Sequence, residues 1–132
     1  MARILVIDDD DAVRATIRTI LEFEGHEAIL AGDGRQGLNA LEEEIFDLLI
    51  VDIFMPSMDG FETIRFVRRQ KPGIPIVVIS GASSHSFSPA SPDFLSMATK
   101  LGAVRSLRKP FKHRELAAAI EECIGDSTPN ST

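Results

Sequence analysis

Three aspartates, a serine and a lysine stand where short apolar runs end. Asp8 and Asp9 follow Ile4-Leu5-Val6-Ile7, Asp52 follows Leu48-Leu49-Ile50-Val51, Ser80 follows Ile76-Val77-Val78-Ile79, and Lys109 follows the stretch from Val104 to Leu107. Carboxylates gathered at one spot repel one another and partly protonate unless a cation joins them. A hard divalent ion meets that need, and Mg²⁺ is typically held by one or two carboxylates with waters and phosphate oxygens. A nearby lysine offers a point charge to a phosphoryl group, and an aspartate can itself accept one as an aspartyl phosphate. The residue types therefore suit an anion bound together with its metal. Taken singly they say little, because an aspartate at a strand end often only caps a helix or closes a turn. Asp10 or Asp11 is expected to cap the helix after the first run. The joint placement carries the reading.

That placement depends on the elements between the runs. The apolar spacing of Val13, Ile17, Ile20 and Leu21 predicts a helix over 12–24, stopped by Gly25. Glu27 to Ala31 reads as a weaker second strand, and Gly34 opens a second helix carrying Leu38, Leu41 and Ile45. After the third strand come a loop and a third helix with Ile64 and Val67 inside, N-capped by Asp59 and ended by Pro72-Gly73. The fourth strand is 76–79, the fifth 104–107, and a last helix over 112–124 carries Leu116, Ile120 and Ile124. Unbroken Val/Ile/Leu strands are usually buried on both faces. Strands alternating with helices imply βαβ units, right-handed crossovers and an α/β fold with a doubly wound, five-stranded parallel sheet. Ligands of such sheets bind beyond the carboxyl ends of the strands, at the switch point. In the order 2-1-3-4-5 the first and third strands flank that point, so all five candidate residues converge on one rim.

A length of 132 residues allows one domain, taken as 1–125 with a polar tail over 126–132. Fourteen basic residues against twenty acidic ones, a net charge of −6, argue against direct nucleic-acid binding. The single Cys123 excludes an internal disulfide framework and a cysteine zinc cage, and it reads as a small core residue. No apolar run reaches the roughly 18–20 residues of a membrane span, and the N-terminus lacks a signal-peptide pattern, so a cytoplasmic location is expected. Residues 83–93, rich in serine with two prolines, read as a long loop. His85 reads as a loop residue, and neither His26 nor His113 shows a pairing that suggests metal or acid–base chemistry.

With these positions in hand, the chain resembles a response-regulator receiver domain of two-component signalling, chemotaxis-type and single-domain, over roughly residues 3–124. The matching motifs are Ile4-Leu5-Val6-Ile7-Asp8-Asp9-Asp10, Asp47-Leu48-Leu49-Ile50-Val51-Asp52 with Met55-Pro56 and Met58-Asp59-Gly60, Ile79-Ser80-Gly81-Ala82, and Lys109-Pro110-Phe111. The resemblance implies the flavodoxin-like (βα)5 receiver fold. It implies that Asp52 accepts a phosphoryl group from a phosphohistidine on a sensor histidine kinase or histidine phosphotransfer protein. Mg²⁺ would be held by Asp8, Asp9 and Asp52, one of the first two through water, with the backbone carbonyl of Phe54 as a further ligand. Ser80 would bond a phosphate oxygen, and Lys109, followed by a cis Pro110, would pair with the acyl phosphate. A downstream protein target would read the switch through the fourth strand, the helix after it and the fifth strand. Such a domain is not an enzyme in the ordinary sense, since it promotes only its own phosphorylation and dephosphorylation. It is expected to be a monomer or weak dimer.

Three features depart from the family pattern. Ser106 stands where many receivers carry a Tyr or Phe that swings inward, so either that coupling is altered or another surface signals. Phe54 and Ala82 occupy positions that, in similar receivers, tune water access to the phosphoryl group. Phe54 cannot orient an attacking water, so slow spontaneous dephosphorylation is expected, unless Phe54 merely packs. The 83–93 stretch lengthens its loop, either as an altered docking face or as a tolerated insertion. With only a short tail after residue 124, the chain reads as a stand-alone receiver, although a piece of a longer regulator would look the same.

Rival readings remain. Asp8-x-Asp10 superficially fits a haloacid-dehalogenase phosphatase, in which Asp8 would carry phosphate, but Asp11-Ala12 breaks that motif. A degenerate, partner-binding receiver is disfavoured by the intact residue set, and an FMN carrier by the acids that would meet its phosphate. Asp8, Asp9, Asp10, Asp11, Asp52 and Asp59 account for the whole charge excess, which is thus local to the proposed site.

Overall fold

Leu48-Leu49-Ile50-Val51 and Ile76-Val77-Val78-Ile79 are wholly apolar, and in the computed structural model every residue of the strands they form is buried. The structure describes residues 2–53, 60–80 and 105–124. Its strands are β1 (Arg3–Ile7), β2 (Glu27–Ala31), β3 (Leu48–Asp52), β4 (Ile76–Ser80) and β5 (Arg105–Arg108). Its helices are α1 (Asp11–Phe23), α2 (Gly34–Glu43), α3 (Gly60–Gln70) and α4 (His113–Ile124). The five strands form one sheet in the order β2-β1-β3-β4-β5, and every pairing is parallel. The helix expected between β4 and β5 falls outside the described residues.

Alternate side chains of the central strands feed two cores, as strand pleating requires. Leu5, Ile7, Leu49, Val51 and Val78 pack with Leu41 of α2 and with Ile64 and Val67 of α3. Ile4, Val6, Ile50, Val77 and Ile79 pack with Ile17 and Leu21 of α1 and with Leu116 and Ile120 of α4. Helices thus cover both faces, which is the doubly wound arrangement. Cys123 packs half-buried against the second core.

Local signals set the helix ends. Asp10 caps α1, its carboxylate accepting from the N–H of Ala12 at 2.8 Å and of Val13 at 3.2 Å. Gly25, at φ +87°, takes the left-handed turn after α1 that a side chain would resist. Asp33 caps α2 through the N–H of Gln36. Inside α2, Gly37 brings the helix against β1: a Cβ there would lie 2.2 Å from Ile7 Cδ1.

Two expectations shift. Ile45 is not on α2, which ends at Glu43; Glu44 turns into extended backbone and leaves Ile45 78% exposed. Phe46 takes the buried place at that end of the core. β5 ends at Arg108, one residue later than expected, while Val104, the expected start, lies outside the described residues, as does Asp59.

Candidate functional site

The parallel sheet delivers its functional side chains by strand register. Asp8 directly follows β1, Asp52 is the last residue of β3, Ser80 the last of β4, and Lys109 directly follows β5. Because β1 and β3 are neighbours and β4 and β5 extend the row, these residues share one rim. Asp8, Asp52 and Ser80 are buried, whereas Asp9 is exposed. Carboxylate oxygens of Asp8, Asp9 and Asp52 all lie within 4.8 Å of one another. Backbone bonds hold the rim in place: the Asp8 N–H donates to Ala31 O at 3.1 Å, that of Ile53 to Ile79 O at 3.1 Å, and that of Lys109 to Ser80 O at 2.8 Å.

Lys109 reaches into the acids. Its Nζ lies 3.3 Å from Asp52 Oδ2 and donates a hydrogen bond to it. It also lies 2.9 Å from Asp8 Oδ2, as an ion pair. Burial alone would lower the pKa of the ammonium, but Asp8 and Asp52 together outweigh it and hold the group above the ordinary lysine value. Asp8 Oδ1 accepts the Asp10 N–H at 2.8 Å. Asp8 Oδ2, fully buried, is met only by the Lys109 ammonium among the described residues. A buried carboxylate oxygen so placed, with two more carboxylates in reach, fits an oxygen-liganded divalent cation.

The sequence profile of the response regulator receiver domain matches residues 4–121 of the chain. This chain belongs to that family. Receiver domains of two-component signalling are also its structural neighbours. A CheY-like response regulator receiver domain protein from Methanospirillum hungatei superposes with a TM-score of 0.85 at 32% identity, covering 96% of this chain and 95% of that one. Chemotaxis protein CheY4 of Vibrio cholerae gives 0.83 at 30% identity, covering 93% and 98%. Among relatives, response regulator MprA of Mycolicibacterium vanbaalenii is 37% identical over 97% of this chain and 52% of its own length. The receiver chain spans about half the length of the curated relatives it matches.

Asp8, Asp9, Asp52 and Lys109 are brought into one cluster, with Ser80 tied to Lys109 through backbone. The Lys109–Pro110 peptide is cis, as the family resemblance implied. Ser106 is exposed on β5 and pairs in register with Val78. Phe54, Ala82, His85 and the 83–93 stretch lie outside the described residues. No helix among the described residues is long and apolar enough to cross a membrane. His113 does have a partner that the sequence did not suggest: its Nε2 lies 2.9 Å from Glu24 Oε2. Sequence reasoning also passed over Arg14, whose guanidinium bonds the Asp8 backbone carbonyl. The available signal was a basic residue placed early in a helix that starts from an acidic run.

Proposed function

We propose that Asp52 is the phosphoacceptor of a two-component phosphorelay, receiving its phosphoryl group from a phosphohistidine on a sensor histidine kinase or phosphotransfer protein. The observation that carries this is Asp52 itself: a carboxylate 2% exposed at the end of β3, with Lys109 Nζ at 3.3 Å and two further carboxylates beside it. An Asp52 oxygen attacks phosphorus; an O–P bond forms as the N–P bond to the donor histidine breaks, and the histidine keeps the electron pair. Lys109 offsets charge on the phosphoryl oxygens, and the Ser80 hydroxyl donates to one of them. Asp8, Asp9 and Asp52, with the Phe54 carbonyl that the family resemblance implies, would hold Mg²⁺, which would supply positive charge to offset that of the phosphoryl oxygens. Phosphorylation then alters partner binding through β4, the segment after it and β5. The receiver unit is 1–125, and its own chemistry is limited to gaining and losing this phosphoryl group.

The test is intact mass after incubation with acetyl phosphate and Mg²⁺. Wild type should gain one phosphoryl mass, and Asp52→Asn should gain none. Equal uptake by both would end the reading and reopen Asp8 as acceptor.

A further inference from the structure

Arg14 sits early in α1 with its side chain only 19% exposed. A cation there faces the positive end of the helix dipole, which its contacts must offset. One is within the helix and the others reach beyond it. Nη1 donates to the backbone carbonyl of Asp8 at 2.6 Å, and Nη2 pairs with the Asp11 carboxylate. The guanidinium also lies against the turn after β2, since a Cβ on Gly32 would come within 3.4 Å of Nη1. That turn is itself tied down: the Gly32 N–H donates to Gln36 Oε1 at 2.9 Å, and Ala31 O accepts the Asp8 N–H at 3.1 Å.

The carbonyl that Arg14 grips belongs to the peptide joining Asp8 to Asp9. A peptide unit is planar, so fixing its carbonyl fixes the direction in which Asp9 leaves Asp8. We infer that Arg14 is a positioning residue for the cation site, setting the mutual angle of the Asp8 and Asp9 carboxylates through their shared peptide. The inference rests on the reading of the cluster as a Mg²⁺ site. Arg14 has two consequences of opposite sign. As a clamp it preorganises the ligands and strengthens binding; as a positive charge beside them it weakens binding. Outer-shell groups that orient metal ligands commonly govern affinity in this way.

The two consequences separate in a titration of the full chain with MgCl₂ alone, followed by amide chemical shifts. Arg14→Gln should raise the Mg²⁺ Kd about tenfold. Arg14→Lys keeps the repelling charge but not the planar fork, and should bind Mg²⁺ at least as weakly as Arg14→Gln. Arg18→Gln, changed at an exposed site on the same helix, should match wild type. Melting in EDTA gives the second readout, because a merely structural role lowers the melting temperature and leaves Kd unchanged. An Arg14→Gln protein that binds Mg²⁺ as tightly as wild type, or more tightly, overturns the inference. Should Arg14→Gln not fold, Arg14→Lys decides alone: a raised Kd supports the clamp and an unchanged one overturns it. Asp8→Asn keeps the two readings apart, since wild-type affinity in that variant means the cation site itself is wrong.

Discussion

The two rims of the sheet both gather acids around one cation, and they do so under opposite solvation. At the amino ends of the strands, Arg3 pairs with Glu27 and Glu44 and stacks over Phe46 at 5.7 Å, while Asp47 Oδ2 accepts the Arg3 N–H at 2.8 Å. The side chains of Arg3, Glu27 and Glu44 are 35–53% exposed, so water screens them and each pair contributes little. At the carboxyl ends, Asp8 and Asp52 are buried around Lys109, where a missing partner is costly. Similar residue types thus make a surface decoration at one end and a charged, demanding site at the other. Burial makes the difference, and strand register decides burial.

Removing the central cation from each rim tests this most severely. Lys109→Met should destabilise the metal-free protein by about 3 kcal/mol, because it strands buried carboxylates. Urea unfolding in EDTA measures this, and a loss no larger than that of Arg3→Met would break the contrast. Next in size is the metal itself. Mg²⁺ at 100 times its Kd should stabilise wild type by about 2.7 kcal/mol and Asp8→Asn hardly at all, read as a shift in the urea midpoint. Arg3→Met should cost about 1 kcal/mol or less, shrinking further in high salt.

The finest distinction is in pH. Lys109 has a raised pKa when folded, so its contribution is full below the unfolded lysine value of about 10.4 and is lost as pH rises through the folded one. His26, at the amino rim, has a lowered pKa because burial, aided by the positive N-terminus, disfavours its charged form. Its Nδ1 accepts the Ala2 N–H at 3.0 Å, which needs the neutral ring. Its contribution is full above about pH 6.5 and is lost as pH falls through the folded value. Melting curves should therefore show Lys109→Met flattening the alkaline limb and His26→Gln flattening the acid limb. The reverse assignment would show that the rims are not distinct.

Much of this was legible in the sequence because burial on both faces writes unbroken apolar runs. β1, β3 and β4 could be read that way, and the residues ending them named the rim. Asp52, Ser80 and Lys109 were recognisable by position, since a parallel sheet sends every strand end to the same side. Periodicity failed at Ile45, which continues the α2 spacing; a helix end set by backbone turning at Glu44 leaves no mark on apolar spacing. β5 (Arg105–Arg108) has a single apolar residue, Leu107, between exposed neighbours, so its end was read one residue short. Arg14 escaped because it grips a main-chain carbonyl, and a carbonyl belongs to every residue type. The His113–Glu24 contact joins positions 89 apart, beyond any local pattern.

Gly37 leaves this fold with a narrow path for adaptation. Replacing a helical glycine by alanine is an ordinary route to a hardier protein, worth about 1 kcal/mol in propensity. Here the added methyl would collide with Ile7, the residue immediately before Asp8, and overpacking of that kind costs about 1–3 kcal/mol. A lineage under heat selection would find that route closed, and the displaced Ile7 would carry the disturbance straight to Asp8. Thermal hardening of this chain has to start at positions that do not lean on β1.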